Sequence, residues 1–275
     1  MPYYSPQSSK NESESNGQIL TIASLFLGAI IIVWLLLNLF VNTIISVLPP
    51  GVEQKLGAVI VPVYEKQAVD SPQQKTLNQL LDRLEANLPE KQKAQNQYKV
   101  LYIPEDTVNA LAVPGNRVVI YQGLLSEVES ENELMMILGH ELGHFANRDH
   151  LRGLGNVLVL RMTISYFLGD ASVFSSIIST SVNAISQAQF SQRQEKQSDQ
   201  FGLTLLDKTY QNVAGATDFF ERLSKKEKSD FDFLSSHPAS QKRVKEIKNL
   251  IQKNGYSFGS LTPLPETLRF DKLGK

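Results

Sequence analysis

Polar and apolar positions divide the chain into unequal parts. Residues 1–18 are polar, rich in Ser, Asn and Gln, with Pro2 and Pro6, and read as a disordered tail. From Ile19 to Val41 no residue carries a charge. A helix of that length reaches about 35 Å, enough to cross a hydrocarbon core of about 30 Å. The uncharged run continues to Pro49, Pro50 and Gly51, which end it. Residues 19–48 are therefore expected to form one transmembrane anchor, with 19–41 in the bilayer. A cleaved signal peptide fits less well, because Lys10 stands against Glu12 and Glu14 and the apolar run is too long.

Beyond the anchor the periods change. Ala58–Tyr64 is a short β-branched stretch that predicts a strand, kept to a sheet edge by Pro62. Ser71–Pro72 predicts a helix start, and Leu77, Leu80, Leu81, Leu84 and Leu88 fall on one helical face before Pro89. Residues 89–97 form a polar connector. Tyr98–Ile103 alternates like a strand, and Asn109–Val113 and Arg117–Tyr121 predict two more around a Pro114–Gly115–Asn116 turn. Ser130–Asn147 is helical in pattern, opening on a Ser130/Glu133 capping box. Leu154–Leu168 is apolar but carries Arg161, and Ala171–Ser186 is uncharged but rich in Ser and Thr; buried or surface-lying helices suit both better than a second membrane hairpin. Helices are also expected over Ser186–Leu206 and from Pro238 to about Lys253. The result is a mainly α domain with a small β-sheet over residues 58–255, and a loop-like tail at 256–275.

Composition removes several functions. With 27 Lys plus Arg against 28 Asp plus Glu, the net charge of −1 offers no field to recruit nucleic acid. The absence of cysteine excludes disulfides, cysteine-ligated zinc, iron–sulfur clusters and thiol nucleophiles. Only 4 histidines exist, so their positions carry information.

Two of them stand in His140–Glu141–Leu142–Gly143–His144. On a helix, His140 and His144 present two imidazoles on one face, as a single Zn²⁺ requires. Glu141 sits about 100° round the helix, beside the metal, where it can take a proton from a water there. Gly139 and Gly143 leave a bare stripe for another backbone to approach.

A catalytic site needs a third ligand. His150 holds the last place of an extended H-E-x-x-H-x-x-G-x-x-H pattern, but Asn147 replaces its glycine. Glu195 and Asp199, again four apart, offer an alternative in which Glu195 binds zinc and Asp199 accepts the free ring N–H of a zinc histidine. Spacing alone does not separate that reading from a solvated charged face.

The order HELGH, then R-x-E-x-x-x-D at 193–199, then His237–Pro238, together with Asn109–Gly115 and Gly123–Leu125, resembles the membrane-associated zinc metallopeptidases, the group of HtpX-like, Oma-type and CAAX prenyl endopeptidases. The resemblance covers about residues 70–250. It implies a zincin-like α+β protease domain holding one Zn²⁺ per chain. His140, His144 and Glu195 would be ligands, Glu141 the general base and Asp199 the orienting carboxylate. The strand Asn109, Ala110, Leu111, Ala112 and Val113 would be the edge to which an extended protein or peptide substrate adds. His237 would contact the metal or gate it, and Arg243 would stabilise the oxyanion. Ser198 departs from the family's usual alanine, a change expected to leave metal binding intact. The implied activity is zinc-dependent peptide hydrolysis at a membrane, in protein quality control; separately, a long soluble domain after a first N-terminal span is expected to cross, which puts the catalytic domain on the exported side. A non-hydrolytic zinc chaperone or adaptor would be expected to lack Glu141 or a ligand, and neither is missing.

Overall fold

The computed structural model describes residues 12–93, 97–157, 177–225, 232–238 and 241–270. Helix α1, Glu12–Val47, contains a stretch, Gly17–Val47, long and apolar enough to cross a membrane, with mean hydropathy 2.7. It starts inside the expected disordered tail. Once the apolar run has nucleated a helix, each added residue propagates it cheaply, so the order extends back to Glu12.

Helix α2, Pro50–Glu65, corrects the expected strand at Ala58–Tyr64. Ile60, Val61 and Tyr64 are buried while Ala58, Val59 and Pro62 are exposed, which is helical spacing and not alternation. Their β-branched character is overridden by packing on the sheet. Helix α3, Pro72–Glu85, is capped by the Ser71 hydroxyl, which accepts the Gln74 N–H at 3.2 Å. Its leucine face, with Leu88 in the following turn, is buried as the spacing predicts. A short helix α4, Glu90–Lys93, follows.

Strands β1 (Lys99–Ile103), β2 (Ala110–Val113) and β3 (Arg117–Tyr121) form one sheet in the order β1-β3-β2. β1 runs parallel to β3 and β2 antiparallel to it, so β2 is an edge strand. The β2–β3 turn has Gly115 at φ 90° and Asn116 at φ 60°, backbone that favours Gly and Asn. Both faces of the sheet are covered. Val100, Tyr102, Ala110, Ala112, Val118 and Ile120 enter the main core, and Leu101, Ile103, Leu111, Val113, Val119 and Tyr121 pack beneath α2.

Helix α5 (Gln122–Glu127) leads into α6, Glu131–Ala146. Ser130 caps α6 by accepting the Glu133 N–H at 3.2 Å. The Glu133 carboxylate accepts from the Glu129 N–H at 3.1 Å, not from that of Ser130, and pairs with Arg222. The box is thus only half formed. Residues 149–157 form α7, and Ile177–Ser186 form α8. The remainder of the apolar region 154–186 lies outside the described residues.

The helix expected from Ser186 begins later. α8 ends at Ser186, and α9 runs Gln192–Tyr210 behind a capping box of Ser191 and Gln194. Helices α10 (Asp218–Leu223), α11 (Asp232–Ser236) and α12 (Gln241–Asn254) complete the helical part. The C-terminal segment is not a detached tail. Leu264 and Leu268 enter the main core, and the Glu131 N–H donates to the Thr262 carbonyl at 3.0 Å.

α6 and α9 touch backbone to backbone. A Cβ built on Gly143 would lie 2.7 Å from the Ser198 Cα, and one on Gly139 would lie 3.0 Å from the Gly202 Cα. The glycine stripe therefore brings the histidine helix and the carboxylate helix together, which side chains would prevent.

Candidate metal centre

One turn of α6 carries His140, Glu141 and His144, all fully buried. One turn of α9 carries Glu195 and Asp199, and α12 adds Arg243. His237 follows the end of α11, its N–H donating to the Phe233 carbonyl at 2.7 Å. The structure thus brings together His140, Glu141, His144, Glu195, Asp199, His237 and Arg243. His140, His144, Glu195 and His237 each offer a ligand atom within 4.8 Å of the others.

Ring orientation decides what these atoms can do. His140 Nδ1 lies 2.9 Å from Asp199 Oδ1, and His144 Nδ1 lies 3.0 Å from Asp149 Oδ2. An ionised carboxylate only accepts, so both Nδ1 atoms carry a proton, and each Nε2 presents a lone pair when its imidazole is neutral. Those two Nε2 atoms face each other at 3.0 Å. The Glu195 carboxylate closes on them, with Oε1 at 3.4 Å from His144 Nε2 and Oε2 at 3.7 Å from His140 Nε2. His237 Nδ1 adds a contact at 3.2 Å to His140 Nε2 and 3.0 Å to Glu195 Oε1. Lone pairs at such distances repel unless they share a cation. Ligands tetrahedral about zinc at 2.0–2.1 Å are separated by about 3.3 Å, so the donor set fits Zn²⁺.

The electrostatics agree. Burial keeps His140 and His237 below the usual imidazole range, hence neutral and able to ligate. Burial also opposes charge on Glu195, but Arg243, His237 and His140 outweigh it and hold the carboxyl well below the carboxylate range. Burial disfavours a proton on His144 too. Hydrogen bonds to Asp149 and Glu195 outweigh that and lift it to about 9. A metal ion held by His144 Nε2 would displace the proton that the ring otherwise carries there. Glu141 is raised, chiefly by burial, and neither of its oxygens has a hydrogen-bond partner among the described residues. His237 Nε2 lies 3.6 Å from its Oε1.

Arg243 lies in the site, but its donors face carboxylates. Nε and Nη2 reach Asp199 at 2.9 and 2.7 Å, Nη1 pairs with Glu195, and the guanidinium lies 4.4 Å over the Phe220 ring. His150 lies outside the cluster, 2.8 Å from Glu53 of α2. Ala110–Val113 is the edge strand β2, and Asn109 directly precedes it. The Tyr121 N–H donates to the Asn109 carbonyl at 3.3 Å, so by alternation Ala110 and Ala112 direct their backbone groups away from β3. The Asn109 side chain accepts the Ala110 N–H at 2.9 Å, and all five residues are buried.

Sequence reasoning missed two residues. Asp149 holds His144, and its signal was an acidic side chain just past the end of the histidine helix. Phe190 stacks on His144 at 3.9 Å between ring centroids, and only the tertiary structure brings it there.

An H-E-x-x-H helix, a carboxylate from a second antiparallel-packed turn and a small mixed sheet define a zincin-type metal centre. The profile of peptidase family M48 matches residues 71–251, and the chain belongs to that family, whose members use zinc. It is 30% identical over 152 residues to the mitochondrial metalloendopeptidase OMA1 of Arabidopsis thaliana, covering 54% of this chain and 30% of that protein. It is 29% identical over 163 residues to the metalloprotease LoiP of Escherichia coli, covering 58% and 64%. It is 22% identical over 191 residues to the beta-barrel assembly-enhancing protease of Yersinia pestis, covering 63% and 38%. The matches thus span less than two thirds of each of these relatives.

Proposed function

We propose that this protein is a membrane-anchored, zinc-dependent endopeptidase acting in membrane or envelope protein quality control. The observation that carries the reading is the meeting of two imidazole Nε2 atoms and a buried carboxylate in one cluster, with a glutamate beside them that has no hydrogen-bond partner among the described residues. His140, His144 and Glu195 hold the ion. When bound, zinc makes a water acidic near neutral pH and polarises the scissile carbonyl.

The protein's own residues do the rest. Glu141 takes the proton from the attacking water and delivers it to the leaving amine nitrogen. Burial favours this, because a carboxyl raised in pKa is a better proton carrier near neutrality. Asp199 fixes the His140 tautomer, and Arg243 holds Asp199 and Glu195 in place. Arg243 reaches a developing oxyanion only by releasing one of those partners. His237, 3.0 Å from Glu195 and 3.2 Å from His140, would contact the metal or yield to substrate. An extended peptide pairs with the outward groups of Ala110 and Ala112, displacing the Asn109 side chain.

The anchor is Gly17–Val47 of α1, whose exposed surface includes Leu25, Trp34 and Leu39. The catalytic unit, on this reading, runs from α2 to about residue 270 and lies on the exported side. Membrane and envelope work is supported by what the names of the Yersinia and Arabidopsis relatives say of those proteins.

Glu141→Gln tests the reading. Hydrolysis of an unstructured protein should fall by at least about 100-fold, with zinc content unchanged by metal analysis. Normal turnover in that variant would reject the role of Glu141.

A further inference from the structure

Three consecutive residues tie the metal centre to the anchor. Arg148 sits at φ 57°, left-handed backbone that a non-glycine residue adopts at a cost of about 1–2 kcal/mol. Its position just past α6 is where glycine is usual. Its guanidinium reaches across the fold and donates to the carbonyls of Ile45 and Leu48, at 2.8 and 2.7 Å, capping the end of α1. Asp149 turns the other way and accepts from His144 Nδ1. It is fully buried, and its second oxygen accepts from Gln194 Nε2 at 2.9 Å and Arg152 Nη1 at 3.2 Å. His150 returns to the anchor side and pairs with Glu53 in the first turn of α2. Below them Leu151 packs with Val41 and Ile45, and a Cβ on Gly155 would lie 3.1 Å from Val41.

We propose that Arg148–Asp149–His150 is a coupler: Asp149 is a positioning residue for His144, and the docking of Arg148 and His150 on α1 and α2 sets where Asp149 stands. Seating of the anchor is thereby felt at a ligand of the metal centre. The physical reason is shortness. Asp149 has no freedom to move independently when the residue on each side is held, and His144 has no other acceptor for its Nδ1–H among the described residues. A strained arginine is retained where glycine would sit without strain because only a long side chain reaches the exposed carbonyls of α1. This inference rests on the zinc reading above.

The test uses the full chain in detergent micelles, reading zinc affinity by chelator competition and the visible spectrum of the Co²⁺-loaded protein. Wild type should bind one ion per chain; failure there defeats the zinc reading itself and not the coupler alone. Asp149→Ala should weaken zinc by about 10–100-fold and shift the cobalt bands, with Asp149→Glu recovering part of the loss. Arg148→Gly relieves the backbone and leaves every metal-contacting atom in place. If Arg148 served only the backbone, that variant would bind zinc as wild type does and melt no lower. The coupler requires weaker zinc binding and a Co²⁺ spectrum displaced in the direction seen for Asp149→Ala. Wild-type affinity and spectrum in folded Arg148→Gly overturn the coupling. Wild-type affinity in folded Asp149→Ala overturns the positioning role.

Discussion

Glu195 and Asp199 share a helix face yet have different duties, and Arg243 connects them. Three buried charges in contact are stable only as a set, because removing the cation leaves two carboxylates unpaired. Arg243→Met should therefore lower the unfolding free energy by about 3–5 kcal/mol, read by denaturant titration. An unchanged midpoint would show that Arg243 is not the partner drawn here. Glu195→Ala should weaken zinc by more than about 100-fold, beyond what outer-shell partners contribute, in the same chelator competition. At this scale the i, i+4 spacing made the two histidines and the two carboxylates legible, since both pairs sit on single helical turns. Asp149 was not legible, because its contact with His144 spans a helix end, where periodicity carries no information.

The decisive element is the α6–α9 pair. Gly139 and Gly143 were readable as a stripe for close approach, and Gly202 and Ser198 turn out to occupy it. Gly143→Ala would drive its Cβ into the Ser198 backbone and separate the helices. We expect a loss of about 1–3 kcal/mol, with weaker zinc binding because Glu195 withdraws from the imidazoles. Retained zinc affinity in a destabilised Gly143→Ala protein would show that the spacing matters for packing alone. Ser198 is buried, and its hydroxyl has no hydrogen-bond partner among the described residues. Ser198→Ala should leave zinc binding intact and raise the thermal midpoint or leave it unchanged, since it removes an unsatisfied buried group. A lower midpoint would reveal a partner for that hydroxyl. Element reading failed at Ala58–Tyr64, where a β-branched run with Pro62 looked like an edge strand. The segment is helical because its apolar residues must cover the outer face of the sheet.

At the scale of the molecule, α1 projects an exposed apolar surface from a domain with a closed core. Only the end of α1 is buried, where Val41 and Ile45 meet Leu151. The protein should remain with membranes after an alkaline wash, and release into the supernatant would reject the span. The long apolar run made this feature legible early. The docking of its last turn on α7 was not, because Val41 and Ile45 differ in nothing from the exposed apolar residues before them.

Local chemistry already determined the helix of His140 and His144, the capping of α3, the leucine stripe and the apolar span. Each depends on residues within a turn or two of one another. The tertiary structure decided which carboxylate meets which ring, that β2 lies at an edge yet is buried, that the C-terminal segment enters the core, and that the segment after the histidine helix is clasped to α1. Those facts rest on contacts between residues as far as 103 and 130 positions apart. No periodicity encodes them; packing selects them.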